Sequence, residues 1–76
     1  MTLVKLRQLA TQAIRMRVRN GEYSERGLAR LVRISQPQIN QALAGKKNLS
    51  IEKLDRICRV LEIRLEEEIR QSPRQE

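Results

Sequence analysis

The chain has 76 residues, with no histidine, tryptophan or phenylalanine and a single cysteine and tyrosine. A lone Cys58 cannot close an intramolecular disulfide, and without histidine there is no Cys/His cluster for zinc. Such cysteine usage suits a reducing interior, so a cytoplasmic location is expected. With Tyr23 the one aromatic, the core must come from Leu, Ile, Val and Ala, a set that suits packed helices better than a sandwich. No apolar run is long enough for a membrane span, and no signal peptide is evident at the start. No nucleophile stands with a base, and no glycine-rich loop could cradle a phosphate. Neither catalysis, nor a metal, nor a cofactor is therefore expected. The length allows one domain with a small core.

Acid is also scarce, and unevenly so. Residues 1–49 hold ten basic and two acidic residues, net +8, while residues 50–76 hold six and seven, net −1. A basic body joined to a neutral C-terminal part suggests that the first two-thirds of the chain meets a phosphate-bearing partner.

What is present is helical periodicity. Leu6, Leu9, Ala10, Ala13 and Ile14 fall at helical spacing, and a first helix is expected over Met1–Asn20, with Gly21 as its stop. Within it Ile14, Met16 and Val18 alternate with Arg15, Arg17 and Arg19, a strand period. No second strand-like run exists to pair with it, so helix is retained. Ser24 reads as the N-cap of a second helix, with Leu28, Ala29 and Val32 as its buried stripe and Gly27 inside it. Ser35 caps a third helix, with Pro37 in its first turn and Gly45 at its end. Ser50 caps a fourth, whose Ile51, Leu54, Ile57, Cys58 and Leu61 form an amphipathic stripe. Ile63, Leu65 and Ile69 suggest a short fifth helix. Glu66, Glu67 and Glu68 read as a charged exposed turn, and residues 71–76 as a frayed tail. The expectation is a compact all-α domain of five helices over residues 1–70.

The second and third helices, joined by a three-residue turn, form a helix-turn-helix unit over residues 24–44. On a wheel of about 100° per residue, Ile39, Ala42 and Leu43 share the inner face of the third helix. Pro37 and Gln41 lie opposite, flanked by Gln38 and Asn40, while Gln36 sits at the N-terminus, the end that enters a groove. Four carboxamides in six residues are uncommon on a merely solvated face. Each offers a donor beside an acceptor, the pattern that matches adenine N6 and N7 in the major groove of duplex DNA. Lys46 and Lys47 follow at once, with Asn48, in a basic loop.

The residues Leu28-Ala29, Val32, Ser35-Gln36, Ile39, Leu43, Gly45-Lys46 and Leu49-Ser50-Ile51-Glu52-Lys53-Leu54 carry a resemblance. Over Tyr23 to Ile69 the chain resembles the lambda repressor/Cro-like (XRE) helix-turn-helix family, with Leu61-Glu62-Ile63 where that family usually has Leu-Gly-Val. The resemblance implies a lambda-repressor-like DNA-binding domain, here with a long N-terminal helix, and a transcriptional regulator acting on double-stranded DNA as a homodimer. It places Gln36, Pro37 and Gln41 at base-contacting positions, with Gln38 and Asn40 beside them. It places Ser24, Lys46, Lys47 and Asn48 at phosphate contacts. The alternative is a protein–protein module on the same fold, such as the antitoxin of a toxin–antitoxin pair, with a protein partner in place of DNA.

Departures from the family pattern carry their own expectations. The frequent turn glycine is Arg33 here, so either Arg33 takes a positive φ or the turn differs. Glu25 stands at the start of the second helix, where a glutamine often touches phosphate, and would repel it. Arg15, Arg17 and Arg19 fan around the first helix, so at most two can face DNA, and a solvated face accounts for them as well. Leu31, with Leu3 and Val4, is a candidate dimer surface.

Overall fold

Four helices of this chain start behind a hydroxyl and end on a left-handed residue. The computed structural model describes residues 2–71. The helices are α1 (Leu3–Arg19), α2 (Glu25–Val32), α3 (Gln36–Leu43), α4 (Ile51–Val60) and α5 (Leu65–Gln71), with no strand among the described residues. Thr2, Ser24, Ser35 and Ser50 accept the N–H of the third residue of α1 to α4, at 3.1, 2.9, 3.3 and 3.2 Å. Each bond satisfies one of the N–H groups that a helix start leaves open. The three serine caps match expectation, and α1 starts at Leu3, two residues after the expected Met1, behind Thr2. Met1 lies outside the described residues, as does the expected tail beyond Gln71.

At the other ends Gly21, Arg33, Gly45 and Glu62 have φ of 82°, 60°, 78° and 57°. In each case the following N–H reaches back to a carbonyl five residues before it. The bonds are Glu22 to Arg17, Ile34 to Ala29, Lys46 to Gln41 and Ile63 to Cys58, at 2.8–3.2 Å. These are Schellman closures, and the apolar residue that follows such a closure packs back onto its helix. Ile34 and Ile63 do so and are buried. Arg33 therefore takes the left-handed conformation itself, and the turn closes without glycine.

The largest fully buried side chains are Ile14 of α1, Leu28 and Val32 of α2, Ile39 of α3 and Ile57 of α4. Each contributes about 1.5–3 kcal/mol by leaving water. α1 packs against α3, α4 and α5, while α2 packs on α3 and α4. The alternating stretch after Ala13 is helical. Ile14 is buried, Val18 one turn on is half-buried against the core, and Met16 is exposed. Glu66, Glu67 and Glu68 are the first turn of α5 rather than a separate turn. Acid there complements the positive end of the helix dipole.

Three arginines close helix ends. Arg15 Nε donates to Leu43 O at the end of α3 (2.9 Å), Arg17 Nη1 to Leu61 O at the end of α4 (3.1 Å), and Arg56 Nη1 to Val32 O at the end of α2 (3.0 Å). The last carbonyls of a helix lack intrahelical partners and carry its negative dipole end, so a guanidinium suits them. This role for Arg15 and Arg17 differs from both sequence readings, which had them facing phosphate or water.

Candidate nucleic-acid interface

The turn of Arg33, Ile34 and Ser35 fixes α3 against α2. Ile34 is buried at its centre, and Ile39 and Ala42 anchor the inner face of α3, with Leu43 half-buried beside them. This leaves the opposite face of α3 to solvent. Pro37, Gln38 and Asn40 are exposed, as the wheel requires, and Gln36, which the wheel puts nearer the core side, is exposed at the helix N-terminus. Gln41 is half-buried rather than fully exposed. It opens onto a cleft of about 250 Å³ that it shares with Gln38, Lys47, Asn48, Ser50 and Lys53.

Two of the carboxamides have partners on neighbouring helices. Lys53 Nζ of α4 donates to Gln38 Oε1 at 3.0 Å, and Asn40 Nδ2 donates to Glu25 Oε1 of α2 at 3.2 Å. Gln36 and Gln41 make no side-chain hydrogen bond among the described residues. Neither partner, Lys53 nor Glu25, belonged to the sequence-derived set. Their identities were visible, but their meeting with α3 depends on how three helices cross, which periodicity within one helix does not encode.

The residues expected at phosphates surround this face. Ser24 is exposed, and its Oγ accepts the Gly27 N–H. The N–H groups of Glu25 and Arg26 are left without intrahelical acceptors by helix geometry, so they can meet an anion. A Cβ at Gly27 would lie 3.1 Å from Ser24 Oγ, a tight contact at this cap. Lys46, Lys47 and Asn48 are exposed in the α3–α4 loop. The loop is held at one end by the Lys46 and Lys47 N–H groups on Gln41 O, at 2.9 and 3.3 Å, and at the other by buried Leu49. The cations therefore stand on a tethered loop directly beyond α3.

Elsewhere the surface offers little chemistry. Cys58 is buried on α4, and its thiol is pushed up from the usual value by burial first, then by the charges of Asp55 and Glu68. Such a thiol is unreactive. Among the described residues no group of acids and cysteine is placed to hold a metal, and no helix is long and apolar enough to cross a membrane.

The arrangement of a capped helix, a left-handed turn and a second helix with a polar outer face has its counterpart in sequence. The pattern of the helix-turn-helix family matches residues 14–67, more than half of the chain. The match begins inside α1, nine residues before the stretch that carried the resemblance, and ends in α5. Neither a curated protein nor a solved structure matches the chain. With its caps, turn and five helices in the family's order, the chain belongs to the lambda repressor/Cro-like (XRE) helix-turn-helix family, a family of DNA-binding domains.

Proposed function

We propose that this domain binds duplex DNA sequence-specifically, with α3 in the major groove, and regulates transcription. The observation that carries this reading is the outer face of α3. Pro37 is exposed on it with Gln38 and Asn40 at its flanks, Gln36 is exposed at its N-terminal end, Gln41 opens beside them, and the cations of Lys46 and Lys47 follow on a tethered loop. Carboxamides discriminate base edges without binding phosphate indiscriminately, and the lysines supply the sequence-independent attraction. Ser24 and the start of α2 would meet a phosphate on one side of the groove, with Lys46, Lys47 and Asn48 on the other. An interaction module would need α3 covered or apolar, and none of the large exposed apolar side chains, among them Leu3, Val4, Leu31 and Val60, lies on it.

In this reading the protein acts in the cytoplasm as a homodimer on two half-sites about 34 Å apart. Leu31, Leu3 and Val4 are exposed and available to a dimer contact. Val4 borders a groove with Gly45 and Asn48, while Leu31 sits on α2. Selection of bound sites from random duplex DNA tests the whole proposal. It should return a motif with two related halves spaced by one helical turn. Recovery of unrelated sequences in proportion to their input would overturn it.

A further inference from the structure

We infer that Lys53 and Glu25 set the base preference of the interface without reading a base, by fixing which end of two carboxamides faces outward. The inference rests on the DNA-binding reading and deepens it. A carboxamide is nearly symmetric in shape, and a half-turn about its last bond exchanges donor and acceptor at almost no steric cost. An amide that is free to turn can therefore serve opposite base edges, and its preference is weak. An amide held from behind cannot.

Both holds here are chemically one-way. A lysine ammonium only donates, so the Gln38 atom 3.0 Å from Lys53 Nζ must be the carbonyl oxygen. An ionised carboxylate only accepts, so the Asn40 atom 3.2 Å from Glu25 Oε1 must be the amino nitrogen. Gln38 thus has its carbonyl engaged on the α4 side, leaving its two N–H donors to present. Asn40 has its amino group engaged on the α2 side, leaving its carbonyl. The two residues flank the outer face of α3 on its two sides, about 160° apart around the helix, with opposite polarity. Gln36 and Gln41 have no such hold among the described residues and stay free to turn.

The major groove translates this into sequence. Guanine O6 and thymine O4 are keto acceptors, whereas adenine N6 and cytosine N4 are amino donors. Gln38 should therefore favour a keto base at its position and Asn40 an amino base at its own. Lys53 and Glu25 are positioning residues in this scheme. Their removal should broaden a preference, and reversal of their charge should invert it.

The test is parallel site selection from random duplex DNA with the full chain and its variants. Gln38→Ala and Asn40→Ala first identify the positions that each side chain reads, as those that lose information. Lys53→Glu should then convert the Gln38 position from keto to amino bases, changing the ratio about fivefold, the worth of one hydrogen bond. Glu25→Lys should convert the Asn40 position from amino to keto by a similar factor. Lys53→Arg, which can still only donate, should keep the parent preference. Thermal melting of each variant shows that the shift is not a loss of folding. If the parent selects a motif and the charge reversals change affinity but leave base frequencies at those positions untouched, the inference is overturned while DNA binding stands. The same holds if the alanine variants lose no position. If the parent selects no motif, the DNA reading fails and takes this inference with it.

Discussion

Replacing Arg33 by glycine should make the domain more stable, although it removes a whole side chain. Arg33 has φ 60° and ψ 43°, where a Cβ crowds the following carbonyl. The left-handed region costs an L-residue about 1–2 kcal/mol that glycine avoids. Glycine in turn gives the unfolded chain more freedom, which costs about 0.4–1 kcal/mol. The Arg33 side chain is exposed and makes no hydrogen bond or ion pair among the described residues, so little else is lost. The backbone bonds that close the turn, from the Arg33 and Ile34 N–H groups to Ala29 O, survive the change. The net expectation is a gain of about 0.5–1 kcal/mol, or about 2–8 °C in melting temperature for a domain of this size. Circular dichroism melting of the parent, Arg33→Gly and Arg33→Ala decides it. Alanine removes the same charge but keeps the Cβ, so it should melt near the parent. If glycine and alanine melt together, or glycine melts lower, left-handed strain is not what position 33 carries. Glu62→Gly at φ 57° repeats the experiment at the end of α4, and the two gains should add if the sites are independent.

Arg56→Met should cost about 1 kcal/mol in chemical denaturation by stripping the guanidinium from Val32 O, and an unchanged midpoint would deny the capping role. Lys47→Ala should weaken binding to all DNA sequences alike and reduce the salt slope by about one, measured by titration at several salt concentrations. Gln38→Ala, which removes a held carboxamide, should instead cost about 1–3 kcal/mol at one base position only; equal losses for both variants on every sequence would sink the division between reading and anchoring. Cys58 gives a pH prediction. Its folded thiol titrates above the unfolded one, so its stabilising contribution is full below the unfolded value of about 8.5 and is lost as pH rises through the folded value. Urea denaturation from pH 7 to 10 should fall more steeply for the parent than for Cys58→Val, and parallel curves would refute it.

Much of the fold was legible because its signals are local. Ser24, Ser35 and Ser50 announced helix starts, and Gly21 and Gly45 announced ends, since each acts on backbone groups within one turn. The stripe of Leu54, Ile57 and Cys58 needed only the helical period. Arg33 was legible as a problem but not as a solution, because sequence alone does not say whether a chain accepts strain or changes its turn. The arginine caps were not legible at all. Arg17 and Leu61 are distant in the chain and meet only once α1 lies across the end of α4. Pro37, Gln38 and Asn40 of α3 are exposed where the wheel put them, whereas Gln41, set opposite the core by the wheel, is half-buried. The polarity of its amides could not be read, because Glu25 and Lys53 reach them from other helices.

The arginine caps have a consequence for anyone who rewrites this surface. A lysine-for-arginine exchange keeps every formal charge, and on composition it looks neutral. At Arg15, Arg17 and Arg56 it would replace a planar fork of N–H groups by a single flexible ammonium, and three helix ends would loosen. Charge and rigidity are thus separable properties at the arginines that hold no carbonyl and inseparable at these three. Arginine-selective modification should separate them too, with the half-buried guanidiniums of Arg15 and Arg17 slow to react until the fold opens.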